Sequence, residues 1–164
     1  TYDLILLDIS MPGLNGLQTL KLIKKHDKTI PVLMLSMHSE EQYAMRSMKA
    51  GASGYMTKDT ASNELVTAIR KINNGRKFIS KEVAELLVTD LYHDDEKDPH
   101  EHLSDREFEI LKMIARGTTT KSIAMELSIS PKTVSTYRSR ILDKLNMRNN
   151  ADIIHYVVDY KLND

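Results

Sequence analysis

Asp8, Ser36 and Lys58 are residue types that together can handle a phosphoryl group. A carboxylate can accept a phosphoryl group as a nucleophile. A hydroxyl and an ammonium beside it can then hydrogen-bond and charge-pair with the phosphoryl oxygens. Singly, each has a plainer reading. An aspartate ahead of Pro and Gly also caps a loop, a serine at a strand end is also a satisfied loop hydroxyl, and a lysine also lays its stem on apolar surface with its head in water. Their shared position is what gives them meaning. Asp8 closes the apolar run 4–7 and is followed at once by a Pro/Gly loop. Ser36 closes the run 32–35, which Pro31 introduces, and Lys58 closes the short run 54–57.

Apolar runs without polar alternation are expected of parallel strands covered on both faces. Open sheets of such strands carry their ligand chemistry at the carboxyl ends. The segments between the runs have helical spacing. Leu17, Leu20 and Ile23 share one face, a helix over about 40–50 stops at Gly51, and Leu65, Ala68, Ile69 and Ile72 fall at i, i+3, i+4 and i+7 before Gly75. The expectation is an α/β domain over residues 1–91 with a trailing linker helix. Residues 92–102, acidic and with a proline, read as a solvated linker. Its histidines His93, His100 and His102 read as solvated rather than as metal ligands.

Residues 103–164 carry denser signals. Ser104 and Glu107 form an S-x-x-E capping box ahead of Phe108, Leu111 and Ile114, and Gly117 ends that helix. Thr119 caps a second helix with Ile123, Ala124 and Leu127 facing inward. Ser130 and Pro131 launch a third, which gives helix-turn-helix spacing. On the third helix Val134, Ile141 and Leu145 share the buried side with Tyr137 on its flank, while Lys132, Ser135, Thr136, Ser139 and Arg140 point outward. A small, polar, basic face of this kind suits a DNA major groove, short side chains reaching base edges and cations reaching phosphates; it also suits plain solvation. Three tightly spaced, capped helices favour DNA.

The chain has 164 residues, with 23 basic and 23 acidic residues, so global charge selects no partner. The absence of cysteine excludes disulfides and thiolate catalysis. No apolar run approaches the roughly 20 residues of a membrane span and no secretion signal opens the chain, so the expected location is the cytoplasm.

The motifs LLDISMPGLNG, VLMLSMH and GASGYMTKD resemble the receiver domain of bacterial two-component response regulators of the NarL/FixJ class. The resemblance implies a flavodoxin-like, doubly wound parallel sheet. It makes Asp8 the phospho-acceptor and a metal ligand, Ser36 and Lys58 the groups that sense and bond the phosphoryl, and Tyr55 the aromatic that reorients on activation. Family receivers begin with a strand ending in an acidic pair that holds Mg2+, then a helix and a strand, all ahead of the segment at which this sequence starts. Asp3, on the same strand as Asp8, cannot replace that pair. The chain therefore reads as a receiver truncated at its amino terminus, with Mg2+ binding in doubt. Acetyl phosphate and magnesium are expected to leave it unlabelled, and to label a version with the acidic segment restored.

LSDREFEIL, the IAMEL helix and SPKTVSTYRSRILDKL resemble the all-α, four-helix LuxR-type DNA-binding domain. Carried over by position, Ser135, Thr136 and Ser139 would read bases. Lys132, Arg138, Arg140, Lys144, Lys121 and Thr120 would contact the backbone, and Ile153, Ile154 and Val157 of a fourth helix would pair two copies, a role that can coexist with closing the domain's own small core. Ser122 stands where glutamate is common, and Asn146 where glycine often ends the recognition helix, although asparagine tolerates the left-handed conformation. The expectation is a non-enzymatic transcription regulator whose partners are double-stranded DNA, a sensor histidine kinase and a second copy of itself. Two alternatives stand beside it: a phosphorylation-independent DNA-binding or oligomerisation module, and a phosphatase of the haloacid dehalogenase type. The latter needs a second acid where this chain has Ser10.

Overall fold

The computed structural model describes residues 2–37, 41–92 and 98–162. The expected helix start at Glu40 and the linker stretch 93–97 lie outside the described residues. The chain divides into two compact units, 1–94 and 95–164.

In the first unit, β1 (Ile5–Asp8), β2 (Val32–Ser36) and β3 (Gly54–Thr57) form a parallel sheet in the order β1-β2-β3. The register pairs Asp8 with Leu35, Leu35 with Met56, and Ser36 with Thr57, so the three strands end at one level. Connections of this kind need a crossover, and helices supply it: α1 (Gly16–His26) leads from β1 to β2 and α2 (Glu41–Lys49) from β2 to β3. Helix α3 (Lys58–Asn73) follows, then α4 (Lys81–Tyr92). Leu33 and Met56 pack against Ala68 and Ile72 of α3. Leu7, Met34 and Tyr55 alternate with that set along the strands, point to the opposite face and are also buried. β2 and β3 are buried on both faces as the missing polar alternation predicts, but β1, at the edge of the sheet, is not: Leu6 is 43% exposed. Phe78 lies beside β3, donating to Ser53 O at 3.1 Å and accepting from Tyr55 N at 2.8 Å, so the segment after α3 covers that edge of the sheet.

Lys58 is not the last residue of a strand, as the apolar run suggested. It is the first residue of α3, because Thr57 caps the helix by accepting from Thr60 N.

Among its described residues the second unit holds a short 3-10 helix (Pro99–His102) and four α-helices: α5 (Asp105–Ala115), α6 (Thr120–Glu126), α7 (Pro131–Lys144) and α8 (Asn150–Asp159). Ser104, Thr119, Ser130 and Asn149 cap them. The core holds Phe108, Leu111, Ile123, Val134, Ile141, Ile153 and Val157. The solvated-linker reading of 92–102 therefore fails over Pro99–His102, which folds with this unit. His100 is 1% exposed: its backbone N donates to Tyr156 Oη at 3.1 Å, its Nδ1 lies 3.0 Å from the same oxygen, and its ring stacks on Phe108. Burial raises the Tyr156 hydroxyl well above its ordinary pKa, keeping it neutral at that bond.

Candidate phosphorylation site and DNA-facing helix

The sheet brings Asp8 and Lys58 together. The Lys58 ammonium hydrogen-bonds and ion-pairs with Asp8 Oδ2, both groups being about a third exposed. The other carboxylate oxygen accepts from Ser10 N at 3.1 Å. Asp8 is therefore held between a cation and a backbone amide, with access to solvent. Ser36 is the residue after Asp8's register partner on the adjacent strand, and it is 3% exposed. Tyr55 is 7% exposed, three residues before Lys58, and lines a cavity of about 500 Å³ with Glu41, Ala44, Thr57, Phe78 and Val83.

Two features that hold Asp8 escaped the sequence reading. Gly16 sits so close beneath the strand end that a Cβ there would lie 2.1 Å from the carbonyl oxygen of Asp8, and its N donates to Ile9 O at 2.9 Å. Asn15 caps α1 through a reciprocal capping box with Gln18. The loop after Asp8 is thus pinned back onto the strand. Its signal was the Asn-Gly of the LNG triplet, which reads as an ordinary turn until the close approach is seen.

Among the described residues, no group of three His, Asp or Glu side chains stands close enough to hold a metal ion. Asp8 is one carboxylate with a lysine on it, which is not a magnesium site by itself.

In the second unit the turn between α6 and α7 contains Ser128 in the left-handed region at φ 54°. Lys132, Ser135, Thr136, Ser139 and Arg140 are exposed along α7, while Val134 and Ile141 are buried beneath them. Ser135 Oγ donates to Pro131 O and Thr136 Oγ1 to Lys132 O, each at 3.0 Å. Both hydroxyls therefore present acceptor lone pairs outward. The Arg140 guanidinium lies 5.9 Å from the Tyr137 ring centroid, packed beside the face. Thr120 and Lys121 are exposed at the start of α6.

Two cations expected on the DNA backbone are engaged within the unit. Arg138, half-buried, donates from Nε to Asn150 Oδ1 at 2.6 Å. The Lys144 ammonium lies 2.7 Å from Glu107 Oε2. Of the three residues expected to pair two copies, Ile153 and Val157 are 0% and 1% exposed and belong to the unit's own core. Of the two roles expected for them, the core one holds and the pairing one is corrected, since side chains on the inward stripe of α8 have no free surface to offer. Ile154 is 42% exposed, and Val158, one turn on, lies exposed with it; Tyr160, the cap after α8, stacks on Tyr156. Asn146 adopts φ 53° after α7, as its tolerance for that region allows.

Family models match in two places. The response regulator receiver domain matches residues 1–70, and bacterial regulatory proteins, luxR family, match residues 101–157. The chain is 34% identical over 161 residues to Response regulator UvrY of Escherichia coli, covering 98% of this chain and 74% of that protein. It is 40% identical over 152 residues to Transcriptional regulatory protein DesR of Bacillus subtilis, covering 93% of this chain and 71% of that one. Among solved structures, RcsB from Salmonella enterica serovar Typhimurium, bound to promoter rprA with the phosphomimetic BeF3-, aligns with TM-score 0.56 and 23% identity. That alignment covers 95% of this chain and 75% of RcsB, and the likeness is one of fold. A receiver sheet presenting Asp8 and Lys58, joined to four capped helices of luxR type, makes this chain a member of the two-component response regulators with a LuxR-type output domain.

Proposed function

We propose that the chain is a DNA-binding transcription regulator in which a phosphoryl group on Asp8, supplied by a sensor histidine kinase, governs the output of α7. The observation that carries the reading is the division of α7. Its exposed face is small, polar and basic, with Lys132, Ser135, Thr136, Ser139 and Arg140, and its opposite face is buried. A helix so divided, launched from a capped turn after α6, fits the geometry of a recognition helix in a major groove. Ser135 and Thr136 would accept from base donors, and Lys132 would meet phosphate.

At the receiver, a phosphoryl on Asp8 would compete for the Lys58 ammonium, which now sits on the carboxylate. Lys58 would follow the phosphoryl oxygens, and the buried Ser36 hydroxyl would turn toward them. The cavity beside Tyr55 leaves room for that ring to move, which supports a switching role. The regulator then acts by population shift toward a state that pairs two copies on paired half-sites. Ile154, with Val158 on the exposed stripe of α8, is the surface we assign to that pairing. Magnesium would require carboxylates beyond Asp8. No helix among the described residues is long and apolar enough to cross a membrane. We place the protein in the cytoplasm, where DNA is.

The test is selection of bound duplexes from a random-sequence pool. The chain is expected to enrich one motif, and Ser135→Ala or Thr136→Ala to relax it at one or two positions. Enrichment of no motif, or an unchanged motif in both variants, contradicts the reading.

A further inference from the structure

Resting on that DNA-binding reading, we infer that Lys144 is not a phosphate ligand but a positioning residue, which with Glu107 straps the carboxyl end of α7 to the amino end of α5. The Lys144 ammonium donates to Glu107 Oε2 at 2.7 Å and to the carbonyl oxygen of His102 at 3.4 Å. The same Glu107 oxygen accepts from Ser104 N at 2.8 Å, closing the α5 capping box. One ammonium thus joins the end of the 3-10 helix, the start of α5 and the end of α7.

At about 100° per residue, Lys144 lies about 180° around α7 from Ser135 and about 140° from Ser139, but about 80° from Thr136 and about 40° from Arg140, so what sets it apart from the DNA-facing residues is its pairing rather than its direction. Its partner is buried, because the Glu107 side chain is 4% exposed while Lys144 is 41% exposed. A buried carboxylate needs its cation, since an unpaired charge away from water is costly. Burial tends to raise the Glu107 pKa, but the hydrogen bond from Lys144 and those from Ser104 outweigh it and hold the carboxyl below its ordinary value.

Phosphate contact and strapping predict different salt behaviour. Losing one phosphate contact reduces the slope of log K against log salt by about 0.9. Losing a strap weakens binding at every salt concentration and leaves the slope alone. The experiment uses the full chain and a duplex that the wild-type chain has itself selected from a random pool. Affinity is measured across a salt series well below the unfolding temperature, with the folded fraction read by circular dichroism. Lys144→Met and Glu107→Gln are each expected to weaken binding about 3- to 10-fold, with slopes equal to wild type. The double variant is expected to be no weaker than the weaker single variant, and Lys144→Arg to bind as wild type does. Glu107→Gln removes no cation and keeps an acceptor for Ser104 N, so it decides the matter even where the Met variant is unstable. A slope reduced by about 0.9 in Lys144→Met, or full affinity in Glu107→Gln, overturns the inference. Failure of the wild-type chain to select any duplex would instead strike the DNA-binding reading itself.

Discussion

At the residue scale, Asp8 is defined by what touches it: the Lys58 ammonium on one oxygen, the Ser10 amide on the other, and Gly16 packed against its backbone. Gly16→Ala must push a methyl group into the Asp8 carbonyl, so the loop or the strand end has to move. The expected result is a loss of about 1–3 kcal/mol in denaturant unfolding of the receiver, of the size typical for overpacking. On α7 the exposed cation and hydroxyls separate by assay. Lys132→Ala is expected to weaken all duplexes alike and reduce the salt slope by about 0.9. Ser135→Ala is expected to change which duplex is preferred while leaving the slope in place.

At the element scale, caps and close approaches set where the side chains point. Ser104→Ala removes the acceptor for Glu107 N, and is expected to cost about 1 kcal/mol in thermal or denaturant unfolding. Glu107 adds a pH dependence of definite sign. Its folded pKa lies below its unfolded one, so its contribution is fully present above the unfolded value of about 4.3 and is lost as pH falls through the lower folded value. Acid unfolding of Glu107→Gln is expected to lose that part of the pH dependence. Much of this level was legible in the chain. Pattern and caps located the strands ending on Asp8 and Ser36 and the four helices after Leu103, because apolar period and cap chemistry are local properties. What was not legible depends on long-range packing. His100 sits in a polar stretch with no apolar neighbours in sequence, and is buried only because Tyr156 and Phe108 come to it. Lys144 reads as one more surface cation until α5 brings Glu107 beside it. For the apolar residues of α8 the sequence left core and pairing roles side by side, and phase on the helix divides them, Ile153 and Val157 to the core and Ile154 to the surface.

At the scale of the whole molecule, we propose that a phosphoryl group on Asp8 in one unit governs the DNA-facing helix of the other through the pairing of two copies. Ile154→Lys on the exposed stripe of α8 is expected to leave folding intact and to raise the protein concentration needed to fill a two-half-site duplex. The direct measurement is the affinity of a form carrying the receiver's acidic pair for such a duplex, before and after treatment with acetyl phosphate and magnesium, with intact mass recorded on the same samples. The prediction is a gain of one phosphoryl on Asp8 and binding at least about 5-fold tighter, with neither change in Asp8→Asn. Equal tightening in Asp8→Asn, or a phosphorylated wild type that binds no more tightly than before, would contradict the account.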